Sequence, residues 1–379
     1  SSQRGVALLM VLGLLALLGT VIADFQYSSQ VDVRLAYNAR DELQAEYNAL
    51  SALRVRALIL KQARKVQALV NGSMQAMGGA SGAAAPPIGA ILDMIPVECG
   101  LLSAITKRID RSATGPGAQE DFFPGECMAT SESEHAKIAI NLLANGLNQG
   151  AQTAVANMLR GTLFDPRLRK HFEQDDLMGQ HAETPDILVN ALADWVDADH
   201  NQQGSLGDED RYYQYAREPY RAKNAPFDSV AELQLVYGVN DALYAALKNR
   251  VSVYSSEPTI ELSTAPIETI LLVGLPAILK DNVGYDVLQA ALPVLAQKLA
   301  VMKQMSSFAP LSVHLFGGLL DASGLAGKYD PQRLQSQFTD RSSTVWYTIL
   351  AQGSMGNATR KIRAVFQAME GSFYYARVD

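Results

Sequence analysis

The chain has 379 residues, 48% of them hydrophobic and 19% charged, with a formal net charge of -7. That is enough apolar material for a sizeable core and more length than one average domain needs, while the acidic balance disfavours sequence-independent attraction to nucleic acid. The two cysteines, Cys99 and Cys127, and the five histidines form no CxxC, HExxH or Cys/His spacing, which argues against a structural zinc site or a zinc-protease motif.

The chain opens on an apolar stretch. Val6 to Ala23 carries no charge and as a helix would span about 27 Å, close to the hydrocarbon core of a bilayer. Arg4 in front and Asp24 behind fit an orientation with the N-terminus inside. A cleaved signal peptide is one reading, because "TVIAD" offers a small-residue site. A retained anchor is the other, because Asp24 to Val70 has no proline or glycine. Its apolar residues Leu35, Leu43, Tyr47, Leu50, Leu53, Val55, Leu58 and Leu60 recur at helical steps. That pattern predicts one rod, 6–70, rooted in a membrane.

Asn71 to Ala90, rich in Gly, Ala and Pro, reads as a linker. Residues 91–143 are mixed, and "KIAINLL" (Lys137 to Leu143) alternates like a short strand. In an exported compartment Cys99 and Cys127 would form a disulfide; two free buried thiols are the alternative. Residues 144–306 are dominated by short helical patterns punctuated by Pro and Gly. In 307–379, "STVWYTILAQ" (Ser343 to Gln352), "TRKIRAVFQAM" (Thr359 to Met369) and "SFYYARV" (Ser372 to Val378) predict a three-stranded antiparallel meander. The expected fold is α+β: a long N-terminal helix, an antiparallel-sheet domain built from 91–143 and 307–379, and a helical domain inserted between them.

The residues "RG" followed at once by "VALLMVLGLLALL" resemble the leader of type IV pilins and type II secretion pseudopilins. The resemblance implies that a prepilin peptidase cuts after Gly5, leaving residues 1–5 as a leader remnant and Val6 as the mature N-terminus. Most of that family has glutamate at the fifth mature position, where this chain has Met10. The minor pseudopilin K branch typically lacks that glutamate and is unusually large. "DWVDADHNQQGSLGDEDRYYQ", "PYRAKNAPFDSVAELQLVYGV" and "STAPIETILL" also resemble that branch. By itself Met10 reads as ordinary apolar filling; within the resemblance it suits a subunit that begins a filament, since a glutamate in the bilayer is costly unless paired. The implied role is structural rather than enzymatic: a tip subunit in the inner membrane, its head periplasmic, assembling with minor pseudopilins I and J on an inner-membrane platform. A tip subunit of another type IV filament and a membrane-anchored periplasmic hydrolase are the competing readings.

One stretch invites ligand chemistry. Asp194, Asp197, Asp199, Asn201, Glu209 and Asp210 supply hard oxygen donors around a glycine-containing loop, which suits calcium. The loop is not an EF-hand, because Gly204 falls at the eighth position rather than the sixth. The resemblance implies calcium here as well; a solvated acidic loop that caps helices is the alternative. Phe227 to Val251 looks like a helix-hairpin-helix, but it carries only Gly238, with Asn240 and Asp241 where a DNA-binding hairpin needs glycine and lysine. A purely structural hairpin is the expectation. No G-x-S-x-G, P-loop or Rossmann fingerprint occurs. His200, beside the acidic loop, could serve as a base; as a lone histidine it reads instead as exposed and idle.

Overall fold

The computed structural model describes residues 2–76, 97–100, 124–144, 148–173, 184–204, 207–214, 218–305, 311–340 and 345–379. Helix α1, Ser2–Ala76, is 75 residues long, about 110 Å at 1.5 Å per residue. It continues to Ala76, into the segment expected as linker; residues 77–90 lie outside the described residues. Gly5 and Val6 both lie in α1.

Beyond α1 lies a five-stranded antiparallel sheet in the order β1-β2-β7-β8-β9. The strands are β1 (Val97–Glu98), β2 (Glu126–Ser133), β7 (Trp346–Met355), β8 (Ala358–Gln367) and β9 (Ser372–Val378). The expected meander is β7-β8-β9, with β7 starting three residues later and running three residues further than its sequence pattern. The first part of the expected sheet domain, β2, pairs with β7 along its whole length, from Glu126 opposite Ser354 to Ser133 opposite Tyr347. Cys99 and Cys127 are joined by a disulfide, tying the residue after β1 to β2.

The helix seats itself on this sheet by a seam of small residues. Ala45, Ala49, Ala52, Leu53, Ala57, Leu60 and Ala63 are buried, whereas Leu35, Leu43, Tyr47 and Leu58 are more than half exposed. The large-apolar stripe is therefore not the packed face. Alanines at helical spacing let the helix axis come close to the strands, and the buried side chains of Tyr347, Ile349, Ile362, Ala364 and Phe366 fill the space from below. Helix residues from Val11 to Arg40 are exposed.

Between β2 and β7 the chain builds a second body. Its helices are α2 (Gln149–Leu163), α3 (Pro166–Glu173), α4 (Pro185–Val196), α5 (Asp241–Leu247), α6 (Ile267–Ile278, with a π turn over Ile270–Gly274), α7 (Tyr285–Met305), α8 (Val313–Leu320) and α9 (Pro331–Gln337). Two small parallel ladders stitch it, β3 (Ile138–Ala139) to β4 (Val251–Ser252) and β5 (Ile260–Glu261) to β6 (Phe338–Thr339). The expected strand over Lys137 to Leu143 is thus only two residues long; Ile140–Leu143 is a 3-10 turn that buries Ile140 and Leu143. The larger core runs from Ala136 to Phe338, beyond the expected 144–306. Leu311, Phe316, Leu320, Leu334 and Phe338 pack into it, so α8 and α9 belong to the helical body.

One buried carboxylate joins the two bodies. Glu134 follows β2 directly and is 3% exposed. Its Oε1 accepts hydrogen bonds from Lys137 Nζ at 2.5 Å and from Thr348 Oγ1 of β7 at 2.5 Å, and its Oε2 accepts from Ser252 Oγ of β4 at 2.5 Å. Burial alone would push this carboxyl up, but the Lys137 charge and the three donors together hold it below its ordinary value.

Candidate cation site

The site begins at the C-terminus of α4. Thr184 caps the start of that helix by accepting from Ile187 N–H, and Pro185 supplies a preset φ in its first turn. The helix buries Leu188, Leu192 and Trp195, and the same inward face carries Asp194. Asp197 ends the helix with an extended backbone. The following loop folds back through a bridge between Asn201 and Asp208 and a bond from Gln202 N–H to Gly207 O at 3.1 Å. Gly204, at φ +74°, makes the left-handed turn. The 3-10 turn Glu209–Tyr212, capped by Asp208, then delivers Glu209 against the end of α4.

Asp194, Asp197 and Glu209 each place an oxygen within 4.8 Å of the others. They are 4%, 1% and 2% exposed, so the three carboxylates share one solvent-shielded site. Gln203 gives them two donors, its backbone N–H to Asp194 Oδ1 at 2.8 Å and its Nε2 to Asp197 Oδ2 at 3.2 Å. Asp197 Oδ1 and both Glu209 oxygens are buried without a hydrogen-bond partner. Burial first, and then mutual repulsion, raises Asp197 and pushes Asp194 up to about 7 and Glu209 up to about 8. Such a group must take up protons or gather around a cation. The orphaned oxygens fit a hard divalent ion; calcium, with six to eight oxygen ligands, would take further donors from carbonyls or water.

The structure separates the six acidic-loop candidates. Asp199 is half-buried at the edge of the cluster, and its Oδ1 accepts from Asn201 N–H at 2.7 Å. Asn201 is exposed and serves the loop through its backbone. Asp210 turns away, accepting from Ala222 N–H at 3.0 Å and lying 3.7 Å from Arg221. The sequence pattern missed two residues. Gln203 is the internal donor, and Asn224 locks the loop from a later segment, donating from Nδ2 to Asp199 O at 2.7 Å and contacting His200 Nδ1 at 2.7 Å. Asn224 has φ +50°, and nothing in its sequence neighbourhood signals that.

An aromatic wall backs the site. Trp195 stacks on Phe227 with centroids 6.3 Å apart and meets Tyr213 edge-on at 5.6 Å. The Phe227–Val251 hairpin is part of this support. Ser229 and Glu232 form a capping box, Gly238 turns at φ +83°, and Asn240 caps α5. Lys223 is committed to Asp228 and Glu232, and Lys248 lies over the Tyr244 ring.

A long helix, apolar at its start and seated by an alanine seam on an antiparallel sheet, with a helical body inserted between the strands, defines an α+β fold. Helix α1 is long and apolar enough to cross a membrane. Residues 136–256 match the family model for type II secretion system protein K. This segment contains Glu134's neighbour Lys137, all of α4 and the whole carboxylate cluster.

Three curated relatives agree, each named type II secretion system protein K. The protein of Pseudomonas aeruginosa is 36% identical over 93 residues, 24% of this chain and 28% of its own length. That of Pectobacterium carotovorum is 29% identical over 135 residues, 35% of this chain and 38% of its own. That of Aeromonas hydrophila is 31% identical over 156 residues, 40% of this chain and 46% of its own. The chain thus aligns with less than half of each relative. A solved structure, the GspK-GspI-GspJ complex of the enterotoxigenic Escherichia coli type 2 secretion system, overlaps 74% of this chain and 95% of the matched chain, with a TM-score of 0.47 and 16% identity.

Proposed function

We propose that the chain acts as a minor pseudopilin of a type II secretion system, at the tip of the pseudopilus. The observation that supports this most is the match to the protein K family model over residues 136–256, carried on a chain whose N-terminal helix is apolar enough to cross a membrane. The apolar start of α1 would hold the subunit in the inner membrane, N-terminus cytoplasmic and head periplasmic, until a prepilin peptidase cuts after Gly5 and the assembly platform extracts it. The exposed length of α1 would then pack beside helices of minor pseudopilins I and J. In this reading the helical body would be too bulky for the inside of a filament, which favours a position at an end. The role is mechanical rather than catalytic. Asp194, Asp197 and Glu209 would hold calcium, which would fix the loop 197–209 to the end of α4 and keep the head rigid.

Co-expression with minor pseudopilins I and J tests the assignment. The expected outcome is a stable ternary complex and a mature chain beginning at Val6. A mature chain beginning at Asp24 or later, or a head that joins neither partner in the presence of calcium, overturns it.

A further inference from the structure

A second site, apart from the carboxylate cluster, lies where the sheet meets the helical body. A cleft of about 680 Å³ opens there, within the roughly 300–1,000 Å³ range of ligand pockets, which favour domain junctions. The sheet contributes Arg363 of β8 and the helical body contributes Arg250 just before β4; Ser263 and Thr264 line the cleft from the segment leading into α6.

These groups are unspent. Arg250 is partly buried, yet among the described residues its guanidinium has no hydrogen bond or ion pair. Two carboxylates act on it electrostatically: Asp165, already held by Arg167, whose Nε lies 2.9 and 3.0 Å from its two oxygens, and the exposed Glu268 on the rim, which makes no ion pair with it. Arg167 itself adds a second positive charge beside Arg250. Arg363 likewise has no ion pair among the described residues. The hydroxyl oxygens of Ser263 and Thr264 are buried and without a partner. Lys303, by contrast, is occupied: it donates to the carbonyls of Ser263 and Ala265 and so fixes the backbone that carries the two hydroxyls. A half-buried cation without an ion pair and orphaned hydroxyls around one cavity are satisfied together by an anion brought in from outside.

The rim selects among anions. Glu132 and Glu268 line the cleft and are exposed, so a compact dianion or a polyacidic run meets repulsion. The apolar atoms of Ala245, Ala246, Leu272 and Leu350 offer contact to uncharged chain. We propose that the cleft binds a single carboxylate side chain on an otherwise uncharged segment of a partner polypeptide, with Arg250 and Arg363 as its cationic walls and Ser263 and Thr264 as hydroxyl donors. The occupant touches the sheet and the helical body at once and so reads their relative position.

The test uses the full chain in detergent micelles with ¹⁵N-labelled arginine. The probes are a capped Ala-Ala-Glu-Ala-Ala peptide, its Gln counterpart and inorganic phosphate. The expected result is saturable binding of the Glu peptide that perturbs the arginine Nε signals, at least ten-fold weaker binding of the Gln peptide, and no competition by phosphate. Arg250→Gln and Arg363→Gln should each weaken the Glu peptide five-fold or more, while Arg360→Gln, whose partner is Glu42 on α1, leaves it unchanged. Arg363 is exposed, so its variant tests the site even if Arg250→Gln disturbs folding. Equal binding of the two peptides, stronger binding of phosphate, or affinity unaffected by Arg363→Gln overturns the proposal.

Discussion

Gly353 on β7 lies so close under α1 that a methyl group added there would stand 2.9 Å from Asn48 Cβ and collide with the helix backbone at Ala45 and Ala49. Asn48 completes the contact, donating from Nδ2 to Pro124 O at 2.8 Å and Ser354 O at 3.2 Å. The seat of the rod on the sheet is set by this approach, backbone on backbone. Gly353→Val should therefore destabilise the head by about 2–3 kcal/mol or lift the helix from the strands. Gly318 in α8 has nothing within 4 Å of an added Cβ, and Gly318→Ala should instead stabilise by roughly 0.5–1 kcal/mol through helix propensity. Denaturant unfolding of both variants checks the contrast.

If the proposed calcium role holds, the carboxylate cluster couples stability to pH and to calcium together. Asp194 and Glu209 sit at about 7 and about 8 when no cation neutralises them, above their unfolded values of about 3.9 and 4.3. The folded state then binds more protons than the unfolded one, so stability is full below pH 4 and is lost as pH rises through 7 to 8. Calorimetry in chelator should show a lower melting temperature at pH 8 than at pH 5.5. Calcium should abolish that loss, and Glu209→Gln should flatten the pH dependence and remove most of the calcium response. A melt indifferent to calcium at pH 8 in the wild type contradicts the site.

Glu134 predicts the opposite slope. Its carboxyl is held low by Lys137, Thr348 and Ser252, so its contribution is present above pH 4.5 and is lost as pH falls through the lowered value. Glu134→Ala leaves the half-buried Lys137 without its partner and the Thr348 and Ser252 hydroxyls without their acceptor, and should cost about 3–5 kcal/mol. Thr348→Val, which removes one donor, should cost about 1–2 kcal/mol. Urea titrations at pH 7 give the ranking, and a smaller effect for Glu134→Ala than for Thr348→Val would refute the joint.

Cys99 and Cys127 are 28 residues apart. Closing a loop of that size corresponds to about 3–4 kcal/mol in the chain-entropy account. The double Cys→Ala variant should lose stability of that order. Its loss should add to whatever change Glu209→Gln brings, because the disulfide and the carboxylate cluster lie in different bodies.

Several features were legible along the chain because they are local. The apolar start of α1, the β9 pattern, the acidic density around Asp197 and the glycine at 204 follow from neighbours within a few residues. The alanine seam was not. Leu35, Leu43, Tyr47 and Leu58 look like a core stripe by hydropathy, but the sheet selects for close approach rather than bulk, and Ala45, Ala49 and Ala52 win the buried face. The acidic loop named its atoms but not their directions: Asp210 and Asn201 match a ligand pattern as well as Glu209 does.

The sequence by itself determined the order of the parts: an apolar root, an unbroken helical stem, strands at both ends of the head and an acid-rich loop in the middle. Those depend on periodicity and composition, which are properties of contiguous residues. Only the tertiary structure decided that Glu209 rather than Asp210 joins Asp194 and Asp197, that the helical body extends through Phe338, and that Arg250 and Arg363 face one cleft. Each of these pairs groups far apart in the chain or turns one side chain of a short run inward, and no local pattern encodes a long-range closure.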